Sequence, residues 1–142
     1  MAALTGKNKA YQSLLARMLI IENVGEVLYG ALITKVKNAN LKSAYEKLAL
    51  NERETAKHIE RELLARDENN RVMNGRVILS FTKFICGILT ARQLAWLLKT
   101  ALDRRIYSRW YDMHKDENHE FWRLLLNHEN LQHELLKPFR GS

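Results

Sequence analysis

The sequence predicts an all-α protein built as a bundle of four long helices, and three observations carry that prediction. One proline in 142 residues leaves too few turn signals for an all-β chain, which needs Gly or Pro punctuation roughly every ten residues. The chain is rich in Ala, Leu, Glu, Lys and Arg, the residues that lose least on entering a helix. Apolar residues recur at three- and four-residue steps through four long segments, the period of a single helix face. The length suits one domain, residues 1–142, with a core of its own.

The first helix is predicted over about 8–38, with the stripe Tyr11, Leu14, Met18, Ile21, Gly25, Leu28/Tyr29, Leu32 and Val36. It ends near Asn38-Ala39-Asn40, and Asn40 caps a second helix over 41–66. The stripe of that helix is Leu41, Ala44/Tyr45, Leu48, Glu52, Thr55, Ile59 and Leu63, and the polar run Arg66 to Arg71 closes it. Residues 67–90 form a long crossover, too long for a tight turn and expected to carry a short helix. Its apolar run, Val77 to Leu89, is interrupted by Lys83 and too short to span a bilayer. That face should be covered by the bundle, by a second copy of the chain or, last in order, by a membrane surface.

Thr90-Ala91-Arg92-Gln93 reads as a capping box opening a third helix over 91–115. Asp116 caps the fourth, over 117–137, and Pro138 stops it. Each stripe needs the others for burial, and two antiparallel hairpins joined by the crossover achieve it.

The net charge of +7 is unevenly placed. Residues 1–69 carry eleven Lys/Arg against nine Asp/Glu, whereas Arg71 to Arg109 holds eight basic residues and one acid, Asp103. This belt is a solvated basic surface or, less expected, a face for nucleic acid, an anionic membrane or an acidic protein partner such as an electron donor; no nucleic-acid motif accompanies it. The single Cys86 excludes an internal disulfide framework and a Cys-based zinc site. Without a charged start and apolar stretch at Met1 to Gly6, the expected location is cytoplasmic, with no transmembrane segment and with self-association into a homodimer.

The informative exceptions are acids on apolar stripes, since a buried carboxylate needs a partner. Glu22 lies between Ile21 and Gly25, with Glu26 one turn on; Glu52 lies between Leu48 and Thr55; Glu129 shares a face with Leu125 and Gln132. Converging inside a bundle, these carboxylates would be neutralised by a cation. His128 is the best-placed imidazole, as a ligand or as a satisfied core residue. Glu54 with His58 and Glu129 with His133 have four-residue spacing, but their neighbours read as solvent-facing. Tyr29 and Tyr107 can hydrogen-bond a buried carboxylate.

The stretch Ile21-Glu22-Asn23-Val24-Gly25-Glu26-Val27-Leu28-Tyr29, followed by Ala44-Tyr45-Glu46-Lys47-Leu48-Ala49-Leu50-Asn51-Glu52, resembles the first hairpin of the ferritin-like superfamily, especially its rubrerythrin-like branch. The resemblance implies a ferritin-like four-helix bundle holding non-haem iron that reacts with oxygen or peroxide, an oxidoreductase. It implies Glu22, Glu52 and Glu129 as metal ligands. Thr55 and Gln132 stand where the family has its two iron-binding histidines. The carboxylate of the third helix falls at Arg104 or, one residue earlier, at Asp103. Three glutamates offer −3 against the +4 of two divalent ions, so at most one iron per chain is expected. The alternative is a metal-free scaffold or interaction protein in which Arg104 replaces the metal by a buried ion pair, with the belt or the crossover binding a partner.

Overall fold

A computed structural model describes residues 2–66 and 76–139, with side chains from residue 8 onward. The described residues contain helices and no strand: α1 (Ala2–Lys35), α2 (Ala39–Arg66), α3 (Arg76–Ile88), α4 (Ala91–Asp103), α5 (Ile106–His114), α6 (His119–Leu136) and a 3-10 turn over Lys137–Phe139. They form a helical bundle in which α1 packs against α2, α3 and α4, and α6 packs against α2, α4 and α5.

The predicted elements are present, with shifted ends. Asn38, not Asn40, opens α2: its Oδ1 accepts from Leu41 N at 3.0 Å, which puts Asn40 inside the first turn. Asn118 rather than Asp116 caps α6, accepting from Phe121 N at 3.2 Å. Pro138 does not end the helical path, which tightens into the 3-10 turn. The capping box at Thr90 is complete, with Gln93 N donating to Thr90 Oγ1 at 3.2 Å and Thr90 N to Gln93 Oε1 at 3.0 Å. Thr90→Ala is expected to cost about 1 kcal/mol, measured as a lower urea midpoint with an unchanged slope.

The third predicted helix is not continuous. After α4, Arg104 N and Arg105 N donate to Ala101 O and Leu102 O, three residues back, and Arg105 adopts φ 46°, in the left-handed region. That conformation costs a non-glycine residue about 1–2 kcal/mol. The apolar spacing on either side of the break is helical, so periodicity alone joined the two pieces. Beyond the break, α5 brings Tyr107 and Ser108 against the carboxylates of the core.

Two apolar clusters make the core. Trp122 stands in one with Tyr11, Leu15, Met18, Ile59, Leu63 and Leu125; Tyr29 stands in the other with Leu32, Tyr45, Leu48, Cys86 and Leu94. Ile21, on the predicted stripe, is 42% exposed, and Leu15 and Leu19 are buried instead. Along α1, α2 and α6 the buried polar residues Glu22, Glu52, Thr55, His128, Glu129 and Gln132 fall between the two clusters.

Of the crossover, residues 67–75 lie outside the described residues, and 76–88 form α3 on α1. Only its inner edge is covered: Cys86 is buried, while Val77, Ile78, Phe81, Phe84 and Ile88 are exposed. Arg71 of the basic belt also lies outside the described residues; the other seven cations are exposed. No helix among the described residues is long and apolar enough to cross a membrane.

Candidate metal centre

Three helices bring buried side chains together within the polar layer. Glu22 comes from α1, Glu52 from α2 and His128 from α6, and each offers a ligand atom within 4.8 Å of the other two. His128 Nε2 lies 3.1 Å from Glu22 Oε2 and 3.7 Å from Glu52 Oε1. Although so close, Glu22 Oε2 and His128 Nε2 are not aligned as a hydrogen bond.

Neighbours hold all three residues, Glu22 and His128 at their other atoms and Glu52 at the same oxygen that faces His128. Tyr107 OH donates to Glu22 Oε1, and Gln132 Nε2 donates to Glu52 Oε1. His128 Nδ1 faces Thr55 Oγ1 at 2.9 Å and Asn51 Nδ2 at 2.7 Å. Orientation of the imidazole by polar neighbours on its far nitrogen is the usual way a histidine is set to present the other one. Gly25 gives Glu52 its room, since a Cβ there would come within 2.9 Å of the Glu52 carboxylate.

Burial and mutual repulsion push the two carboxyls apart. Burial raises Glu52 well above the ordinary range and the negative charge of Glu22 raises it further, against the opposing hydrogen bond from Gln132. Burial would also raise Glu22, but the polar groups of Glu52 and His128 that face it and the hydrogen bond from Tyr107 outweigh it and hold Glu22 below the ordinary range. Without a metal the pair titrates as one coupled unit in which Glu52 holds a proton more readily than Glu22. Burial, reinforced by Glu22, raises Tyr107, which stays a neutral donor.

A cavity of about 250 Å³ opens from the surface between α1 and the α4–α5 corner. Its walls are apolar, with Val24, Leu28, Leu98, Leu102 and Ile106, and it reaches Glu22, Glu52 and Glu129. A second cleft, lined by Asn51, Glu54, Thr55 and His58, reaches His128 from the other side.

Of the candidate ligands, then, Glu22, Glu52 and His128 meet. Glu129 is buried nearby, but Ser108 N and Oγ donate to its two oxygens at 3.0 and 3.1 Å and hold it to α5. Glu26 faces outward and pairs with Arg53 at 2.7 Å. Asp103 is exposed at the end of α4. Arg104 is exposed at the helix break, which corrects its expected place as a buried counter-ion. The break turns α5 relative to α4, so Tyr107 faces Glu22 where a guanidinium was expected. His133 is buried rather than solvent-facing. Ser108 and Asn51 had no sequence signal as partners of the layer; Thr55, on the buried stripe beside Glu52, had one. Tyr107 bonds a carboxylate as expected, whereas the Tyr29 hydroxyl is buried without a hydrogen bond.

No family model matches the chain, and no curated protein and no solved structure matches it.

Proposed function

We propose that this chain is a ferritin-like bundle of the rubrerythrin-like kind, two antiparallel hairpins joined by a crossover, that holds one divalent iron ion on Glu22, Glu52 and His128. The observation that carries the reading is the pair Glu22 Oε2 and His128 Nε2, buried, 3.1 Å apart and without aligned hydrogen bonds, beside a second carboxylate. Buried polar atoms left so are costly unless a further group satisfies them. Two carboxylates and an imidazole suit Fe(II) or Mn(II). The antiparallel pairing is supported by Gln12 Nε2 donating to Arg66 O at 3.4 Å and by the Arg66 guanidinium over the Tyr11 ring, which join the start of α1 to the end of α2.

Iron held there would supply redox chemistry with oxygen or peroxide. The chain's own residues do the rest. Glu22 and Glu52 bind as carboxylates and neutralise the ion's charge. Thr55 and Asn51 orient His128, and Tyr107 fixes the outer oxygen of Glu22. The apolar walls of the cavity admit a small neutral oxidant and keep bulk water from the layer. Gln132 takes the place of an imidazole and already bonds Glu52, which limits the site to one ion.

A metal-free scaffold is the second reading, favoured by the same Gln132 contact and by the raised value of Glu52, which lessens the need for a cation. Anaerobic Fe(II) titration separates the two. One tight ion per chain is expected, and Glu22→Gln or His128→Ala should weaken it by more than about a hundredfold, the upper loss seen when mere outer partners of a metal site are removed. Glu54→Gln, in the neighbouring cleft, should leave it unchanged. Absence of binding by the unmodified chain would establish the scaffold reading.

A further inference from the structure

We infer that the outer face of α3, continued by the start of α4, is an attachment surface for a lipid bilayer carrying anionic headgroups. Val77, Phe81, Phe84 and Ile88 follow one another at steps of four, three and four residues and so form one row along α3. The row points away from the bundle: Phe81, Phe84 and Ile88 are 63–64% exposed and Val77 80%, while Cys86 on the opposite side is buried. Beyond the end of α3, Leu89, Arg92, Gln93, Trp96 and Leu97 line a shallow surface depression, and Trp96 is 65% exposed. So many large apolar side chains exposed on neighbouring helices mark an interaction site.

Charge identifies the occupant. From Val77 to Leu102 the chain carries Lys83, on the flank of α3 beside Cys86, and Arg92 and Lys99 on α4, with no acidic residue, and all three cations are exposed. A twofold contact between two copies must be self-complementary, because the same patch faces itself. Here that contact would set the cations of residues 77–102 against one another, and that stretch offers no carboxylate to separate them. An anionic bilayer surface satisfies both features, its acyl boundary taking the aromatic and aliphatic row and its phosphates taking the cations. Trp96 suits the headgroup level, where an amphipathic ring has both an apolar and a polar neighbour. At thirteen residues α3 is about 20 Å long, too short to cross, and it lies along the surface instead.

The test uses the full chain and vesicles of phosphatidylcholine, alone or with about one third phosphatidylglycerol, separated by flotation. The chain should bind the anionic vesicles and not the neutral ones, and binding should fall as salt rises. Phe81→Asp with Phe84→Asp should reduce it at least tenfold. Lys83→Gln, Arg92→Gln and Lys99→Gln together should reduce it about a hundredfold, each surface cation being worth roughly a factor of five. All these side chains are exposed, so the helical circular dichroism of both variants should match that of the parent. Failure of the folded parent to bind anionic vesicles overturns the proposal. Undiminished binding by the Phe81, Phe84 variant also overturns it, since charge alone would then suffice. A parent that floats with neither vesicle and sediments as a dimer, and becomes monomeric on those same substitutions, would assign the face to a second copy instead.

Discussion

Trp122→Ala is expected to destabilise the chain by about 3–5 kcal/mol and to lower its melting temperature by roughly 10 °C, since each kcal/mol is worth about 2–4 °C at this length. Trp122 is fully buried at the centre of the cluster that joins α1, α2, α5 and α6. Its ring stacks on His114 and meets Phe121 edge-on, and its Nε1 donates to Tyr11 OH at 2.9 Å. Truncation therefore opens a cavity and leaves a buried oxygen without its donor. Burial pushes the Tyr11 phenol up to about 12, against the hydrogen bond from Trp122, so the oxygen cannot relieve that loss by ionising near neutral pH. Trp122→Phe should keep most of the packing and cost about 1–2 kcal/mol for the lost hydrogen bond and the smaller ring. Trp96→Ala is the comparison: Trp96 lies largely in water, and its loss should stay within about 0.5 kcal/mol. Thermal unfolding of the three variants checks the order. Equal losses at Trp122 and Trp96 would contradict the burial of Trp122 against Tyr11.

Glu52→Gln is expected to act in opposite directions with and without metal. In the metal-free chain the folded value of Glu52 is raised above that of the unfolded chain. Its contribution to stability is therefore complete below the ordinary carboxylate range and is lost as pH rises through the raised folded value. Glu22, whose folded value is lowered, contributes above the ordinary range and loses that contribution as pH falls through the lowered value. A glutamine at 52 can donate to Glu22 as the neutral acid does, and it cannot ionise. Relative to the parent, the metal-free variant should therefore gain stability progressively as pH rises above the ordinary carboxylate range. The same substitution should weaken Fe(II) binding, because a neutral amide oxygen replaces a carboxylate. Urea unfolding between pH 5 and 8 in the presence of chelator reads the first effect, and anaerobic titration reads the second. A metal-free variant less stable than the parent at pH 8 would mean that the folded value of Glu52 is not raised.

That the chain is helical, that a helix opens at the Thr90 capping box and which acids enter the core were legible in the order of the residues, because those features are local. The period of apolar residues fixes a helix face, a Thr and a Gln three residues apart close a capping box, and Glu22, Glu52 and Glu129 stand out because each sits on a stripe that must be buried. The register between helices was not legible. Whether Glu129 or His128 meets Glu22 and Glu52 depends on the rotation of α6 about its axis, and adjacent residues differ there by about 100°. The structure turns His128 toward the two acids and leaves Glu129 to Ser108. The break at Arg104–Arg105 was illegible for a related reason. Nothing in those residue types signals a left-handed turn, and the packing of α5 that sets Tyr107 on Glu22 is what holds Arg105 in it. The same break puts Arg104 in water. Packing also decides that the outer row of α3 stays uncovered: hydrophobicity specifies that a face seeks a partner, while the arrangement of the other helices specifies whether this chain supplies one.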